Sequence, residues 1–273
     1  DWNGMGAPIS RLIWGDRKSQ EVRWRGANGP DLAANLGNTD VSIFSGDTGR
    51  PEGVYILPGS IAVHDRLNTF GIAHQFTVYP GMTHSWPTWN RALAEWLPRL
   101  MSRFGSYNPA ERELSRVAPP AGPRLPVLPR SFVYSTIDPV YAMHGWDVRI
   151  ERAAIEFSAL EVTDGREFSL IGSGKAVVRM PALGMRNQAV RIVISTTGAA
   201  TRSRTLRLRT DGSGRLSVPI DLGTTNPHQQ YSPQADANAT GKPAIAMPFP
   251  VLNNGSEFLR VEVRLVGGNG MVR

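Results

Sequence analysis

The 273-residue sequence contains no cysteine, which excludes a disulfide-bonded scaffold, thiol catalysis and thiolate-ligated metal sites. No apolar segment approaches the ~18–20 residues that a membrane-spanning helix needs, so we expect no membrane span. Lysine is scarce: 27 of the 30 basic residues are arginine. The formal charge of +7 suits an anionic partner, but the arginines are spread along the chain without a basic block. We therefore expect no nucleic acid partner.

A proline-rich stretch divides the sequence. Six prolines lie between Pro109 and Pro129, and such a stretch cannot hold a helix or a central strand. We expect three parts: residues 1–108, a linker over 109–129, and residues 130–273.

The first part is expected to be α/β. Residues 41–45 and 75–79 are β-rich and end in turn residues, and helical patterns lie before, between and after them. The last helical pattern carries an apolar stripe at Trp89, Leu93, Trp96, Leu100 and Phe104. This order is typical of a parallel α/β sheet, although two strands are too few to complete one.

The second part is expected to be an antiparallel β-sandwich. Short alternating runs, such as 190–194 and 259–265, are separated by turn residues. Residues 204–209 and 216–220 flank an Asp-Gly-Ser-Gly turn, which predicts a hairpin between them.

One histidine and two acids occupy positions where open α/β folds place their sites. His84 follows the second strand, and Asp47 and Glu52 follow the first. An imidazole there can act as a general base, supported by a carboxylate. The alternatives are structural: His84 could pack beside the next helix, Asp47 could form an Asx turn, and Glu52 could be solvated.

A catalytic serine is missing from this pattern. An α/β-hydrolase carries its serine on a Gly-x-Ser-x-Gly elbow that precedes the acid and the histidine, and the sequence contains no such elbow. Ser60 lies between the acids and His84, which is the wrong order. A serine upstream of Asp1 would fit.

An ordered set of motifs resembles a known family. Trp14-Gly15, Asn28-Gly29-Pro30, a strand ending in Gly46, and Thr83-His84-Ser85-Trp86-Pro87-Thr88-Trp89 occur in this order. The set resembles the C-terminal part of the esterase D-like α/β-hydrolases, most closely the mycobacterial mycolyltransferases. It covers about residues 10–105.

The resemblance implies that His84 is the catalytic histidine. Ungapped counting back from the Thr-His-Ser-Trp motif places the family's glutamate on Glu52, while other esterases of the group favour the position of Asp47. The loop before Glu52 is shorter than in mycolyltransferases, which favours hydrolysis over acyl transfer. The half of the domain that bears the nucleophile is expected in the same precursor or in a separate chain.

Trp86 and Trp89 flank His84 and could line a substrate pocket, or they could belong to the core. No histidine or carboxylate accompanies His144 or His228 at metal-ligand spacing, so we expect neither metal nor cofactor. The leading hypothesis is a secreted or cell-envelope-associated serine esterase or acyltransferase that acts on acyl esters or on envelope lipid or glycan. The alternative is a non-catalytic envelope protein, structural or binding, on a degenerate hydrolase scaffold.

Overall fold

The structure, a computed structural model, describes residues 12–14, 21–103, 129–152, 155–197, 202–224 and 259–266. These residues form two compact units. Residues 40–103 belong to the first, which we call the α/β unit. Residues 12–14, 21–39 and 129–266 belong to the second, the β unit. No helix in the described residues is long and apolar enough to cross a membrane.

The α/β unit consists of two strands and two main helices. In chain order they are β1 (Val41–Gly46), a π-helical turn (Glu52–Ile56), a helix (Leu57–Thr69), β2 (His74–Tyr79) and a helix (Trp86–Arg103). The strands are parallel, with Val41 opposite His74 and Gly46 opposite Tyr79. The two strands and the helices around them lie close to their expected positions. No α/β-hydrolase sheet is present in the described residues.

The β unit includes a helical segment that precedes β1. It comprises two short helices (Glu21–Gly26 and Gly29–Leu32) and a 3₁₀ turn (Ala33–Leu36). The side-chain amide of Asn35 accepts a hydrogen bond from Ser135 N at 2.7 Å and donates one to Ser135 O at 2.9 Å. Asn38 Nδ2 donates to Ser131 O at 3.2 Å.

These contacts matter because Ser135 lies in β3 (Phe132–Thr136), an edge strand. The Asn35 amide pairs with the backbone of that edge much as a neighbouring strand would. The helical segment therefore belongs with the β unit. The sequence had predicted a boundary at the proline-rich stretch, which would place this segment in the first part, residues 1–108. The expected linker, 109–129, lies outside the described residues apart from Pro129.

In the described part of the β unit, ten strands form two antiparallel sheets. The remaining nine, in chain order, are β4 (Val140–Met143), β5 (Trp146–Glu151), β6 (Ser158–Asp164), β7 (Glu167–Gly172), β8 (Lys175–Arg179), β9 (Ala189–Thr197), β10 (Arg202–Arg209), β11 (Ser217–Asp221) and β12 (Leu259–Val266). One sheet has the order β10-β9-β12-β7-β6-β3, and the other β11-β8-β5-β4.

Both sheets contribute one face to a shared apolar cluster, and a smaller cluster joins Val22 of the helical segment to Ala159 and Ile171. Along β5 and β8 the side chains alternate between buried and more exposed, as the period of a strand requires. Trp146 of one sheet meets Phe168 of the other, with ring centroids 5.1 Å apart, and both are buried. This arrangement is compatible with the expected sandwich.

The hairpin expected between residues 204–209 and 216–220 is wrong. Strand β10 pairs with β9, and β11 pairs with β8 in the other sheet. The expected turn between them is present. Asp211 accepts hydrogen bonds from Ser213 and from Arg215 N within the turn, and another from the side chain of Arg179. Together these bonds lower the pKa of the Asp211 carboxyl. The turn therefore carries the chain from one sheet to the other, a difference that turn residues alone do not encode.

Two adjacent valines on β8 provide a matched test of this core. Val178 is fully buried, whereas Val177 on the opposite face is 43% exposed. Val178→Ala should destabilise the β unit by about 1.5–3 kcal/mol through lost apolar burial. Val177→Ala should cost less than about 1 kcal/mol. Amide hydrogen exchange of β5, β8 and β11, measured in the whole chain, gives the loss of stability in each variant. Equal losses would contradict the assignment of Val178 to the buried face of β8 and of Val177 to its exposed face.

Candidate functional site

Two loops meet at one edge of the parallel strand pair. Because β1 and β2 run in the same direction, the loops that follow Gly46 and Tyr79 begin at the same edge. Thr48 N donates a hydrogen bond to Met82 O at 3.1 Å, which ties the two loops together. Residues distant in sequence are thereby brought into contact.

Glu52 is the buried centre of this edge, with 3% of its surface exposed. Its Oε1 accepts hydrogen bonds from Ser45 Oγ and from Gly46 N, both at 2.8 Å. Its Oε2 lies 2.8 Å from Nδ1 of His84. The carboxylate is therefore held from three sides, as a buried charge requires.

The surroundings of Glu52 favour its ionised form. Burial alone would raise the pKa of the carboxyl, but the hydrogen bonds from Ser45, Gly46 and His84 outweigh it and lower the pKa below its usual value. Glu52 is therefore a hydrogen-bond acceptor at neutral pH.

An ionised Glu52 fixes the proton on His84. Since the carboxylate can only accept, neutral His84 must carry its proton on Nδ1 and donate it to Glu52. The lone pair of Nε2 then remains to accept a proton. The side chain of His84 is 40% exposed, so reactants can reach it. The pair can act as a positioned general base.

Both tryptophans that flank His84 lie outside the core. Trp89 contacts the His84 ring edge to face at 5.0 Å, and Trp86 contacts Trp89 in the same way at 4.9 Å. Trp86 is 72% exposed and Trp89 39%. The structure therefore places an exposed aromatic surface beside the histidine, and the role of these tryptophans in a substrate pocket stays a prediction.

Asp47, the other candidate acid, has a different set of partners. Its Oδ1 accepts hydrogen bonds from Gly81 N at 2.7 Å and from Thr48 Oγ1 at 2.8 Å. These bonds fasten the loop after β1 to the loop after β2. The structure thus brings Glu52, and not Asp47, to the imidazole.

Ser45 and Gly46, which support Glu52, were not predicted as site residues from the sequence. A Cβ on Gly46 would lie 2.2 Å from Met82 O, and one on Gly53 would lie 2.3 Å from Asp47 O. Both positions therefore exclude any side chain. The Ser-Gly that closes β1 and the glycine after Glu52 were the only sequence signals of this packing.

Two further histidines, His64 and His74, contact each other elsewhere in the α/β unit. His64 Nδ1 and His74 Nε2 are 2.7 Å apart, and His74 Nδ1 donates to Ile72 O at 2.7 Å. Among the described residues, no group of three or more histidines and carboxylates could hold a metal ion.

The comparisons with known proteins found no match. No protein-family model matches the chain, and no curated protein and no solved structure matches it. The geometry of the site is therefore the basis for any functional assignment.

Gly46→Ala should disrupt the site, because its Cβ would collide with the Met82 carbonyl and push apart the two loops that hold Glu52 and His84. We expect faster amide hydrogen exchange in residues 46–53 and 80–84. Gly71→Ala is the control, because no atom lies within 4 Å of its added Cβ and only its positive φ opposes the change. Slow exchange in both loops of Gly46→Ala would contradict the close approach.

Glu52 should make stability pH-dependent. Its pKa is lower in the folded than in the unfolded chain, so its contribution is complete above the ordinary glutamate pKa of about 4.3 and disappears as the pH falls through the folded pKa. Denaturant unfolding of the α/β unit should therefore show a loss of stability at acidic pH. That loss should be smaller in Glu52→Gln, and an identical pH profile for both proteins would contradict the assignment.

Proposed function

We propose that the chain is part of a serine esterase or acyltransferase in which His84 is the general base and Glu52 positions it. The observation that supports this best is the 2.8 Å contact between Nδ1 of His84 and a buried, low-pKa carboxylate. The third member, a serine, would lie upstream of this sequence, because the 273 residues contain no Gly-x-Ser-x-Gly elbow.

In the proposed reaction the serine Oγ attacks the carbonyl carbon of an acyl ester. Nε2 of His84 takes the serine proton as the bond forms and later gives it to the leaving alcohol. Water then attacks the acyl-serine, with His84 acting as base again, and the acid is released. In an acyltransferase a sugar hydroxyl would replace the water. Hydrolysis is favoured because the loop between β1 and Glu52 is short.

Glu52 has a specific part in this cycle. When His84 takes the proton it becomes an imidazolium, and the adjacent carboxylate stabilises that charge. The lowered pKa of Glu52 supports this role, since the carboxyl stays ionised and does not compete for the proton. Before the transfer, the same carboxylate holds the neutral ring in the tautomer that leaves Nε2 free.

The exposure of the strand pair favours the proposal that it belongs to a larger α/β-hydrolase sheet. Parallel sheets are normally covered on both faces, yet most residues of β1 and β2 are only half-buried within the described chain. The last helix of the unit exposes Leu93, Leu97 and Met101, which follow one another at helical spacing. We propose that the half bearing the nucleophile, from the same precursor or a separate chain, adds strands to this pair and covers the helix. By its resemblance, the complete protein would be secreted or bound to the cell envelope.

A second candidate function is a non-catalytic envelope protein, structural or binding, on a degenerate hydrolase scaffold. The missing elbow favours it, because the sequence supplies the base without a Gly-x-Ser-x-Gly serine. The two candidates differ in whether a serine meets Nε2 of His84 in the complete protein.

The deciding experiment compares the 273-residue chain with the longest natural translation product that contains it. Only the longer product should hydrolyse p-nitrophenyl butyrate and react with a fluorophosphonate. Within it, His84→Ala and Glu52→Gln should each lower kcat/KM by at least about 10³-fold. Asp65→Asn is the control, because Asp65 is an exposed acid on the helix between β1 and β2.

A longer product that is folded but inert towards both reagents would favour the non-catalytic alternative. Turnover by the 273-residue chain alone, lost in His84→Ala, would place the serine inside this sequence and contradict the proposed origin of the nucleophile.

A further inference from the structure

A cleft lies on the β unit, on the outer face of the four-stranded sheet. It has a volume of ≈ 360 Å³ and is lined by side chains from β5, β8 and β11, together with Arg204 of β10. Since β10 is the edge strand of the six-stranded sheet, this residue reaches the cleft from the other sheet. All of these strands lie within the β unit.

The strand register arranges the cleft in two rows. Lys175 on β8 lies between Glu151 on β5 and Asp221 on β11. Two residues further along each strand, on the same face, Val177 lies between Arg149 and Pro219. The cleft therefore has one row of charged side chains and one row with an apolar centre, where Val177 is 43% exposed.

The cations of the cleft form no direct ion pair within the described residues. Arg149, Lys175 and Arg204 make no side-chain hydrogen bond and no ion pair with any part of the chain that the structure describes. On the same face just outside the cleft the charges are paired: Arg179 binds Asp211 at 2.8 Å, and Arg215 binds Asp147 at 2.7 Å. The cations without a direct ion pair therefore lie in the cleft, and the paired ones lie outside it.

The acids of the cleft can accept hydrogen bonds from a ligand. Asp221 uses one oxygen, Oδ1, to accept from Gly223 N at 2.9 Å, and Glu151 has no side-chain partner among the described residues. With three cations and two anions, the lining has a net positive charge. This balance disfavours a metal cation and favours an anion that also carries hydrogen-bond donors.

We propose that this cleft binds an acidic sugar, a uronate or a sugar phosphate. Arg149, Lys175 and Arg204 would take the anionic group, and the arginines can do so through two parallel hydrogen bonds. The carboxylates of Glu151 and Asp221 would accept from ring hydroxyls. Val177 and Pro219 would contact the C–H face of the sugar. The inference rests on the β unit alone and is independent of the Glu52–His84 pair.

The volume suits a ligand of one or two sugar rings. Such a group could come from a free metabolite or from the residues of an acidic polysaccharide, and both would present the same chemistry to the cleft. Single-stranded nucleic acid is disfavoured, because the described residues place no aromatic side chain in the cleft lining to stack on a base.

The test is calorimetric titration of the 273-residue chain with glucuronate, glucose 6-phosphate, glucose and inorganic phosphate. Glucuronate or glucose 6-phosphate should bind at least about 10-fold more tightly than glucose and inorganic phosphate. A polygalacturonate arm distinguishes the sources: much tighter binding of the polymer than of the monomer indicates a polysaccharide, and equal binding indicates a free sugar.

Four variants, three in the cleft and one control outside it, locate the binding. Lys175→Gln and Arg149→Gln should each weaken it by at least about 10-fold. Arg191→Gln, which removes an exposed charge of β9 outside the cleft, should leave it unchanged. Val177→Asp, on the exposed face of β8, should abolish binding without unfolding the sheet, and a circular dichroism spectrum checks this.

Three outcomes would overturn the proposal. They are no binding of either acidic sugar at about 10 mM, affinity for inorganic phosphate equal to that for the acidic sugars, or an equal loss in Arg191→Gln and Lys175→Gln.

Discussion

The site depends on the burial of one carboxylate. A charge removed from water is tolerated only when hydrogen bonds replace its hydration, and Glu52 has three such bonds, from Ser45, Gly46 and His84. Those donors come from the last residues of β1 and from the loop after β2, so satisfying the carboxylate also fixes both loops. The same interaction sets the orientation of the imidazole and the position of its proton. The hydrogen bonding of buried Glu52 therefore underlies both the local structure and the proposed chemistry.

Part of this arrangement is predictable from the sequence. Two β-rich runs separated by a helix predict parallel strands, and parallel strands bring the loops that carry Glu52 and His84 to one edge. The choice between Glu52 and Asp47 was not predictable from the residues alone, because both follow the same strand. It depends on which carboxylate is buried against Ser45, and burial is a property of the folded chain. The role of Asp47 between the loops is likewise a three-dimensional feature.

The β unit shows where local patterns stop being sufficient. Alternating residues predicted several strands correctly, because strands such as β11 and β12 bury one face. The turn at Asp211 was also recognised, but its residues do not specify whether the next strand returns to the same sheet or crosses to the other. Similarly, the helical segment before β1 carries no pattern that shows it covers the edge of β3. That association includes two hydrogen bonds of Asn35 to a residue 100 positions away and the packing of Val22 against Ala159 and Ile171.

The central claim is that Glu52 holds His84 as a base with Nε2 free, and the imidazole nitrogens report this directly. A long-range ¹H–¹⁵N correlation spectrum of the chain, recorded well above the ordinary histidine pKa of about 6.5, separates the two tautomers. We expect a proton on Nδ1 of His84, an unprotonated Nε2, and loss of this preference in Glu52→Gln. A proton on Nε2, or the same spectrum for His84 in the wild-type chain and in Glu52→Gln, would contradict it.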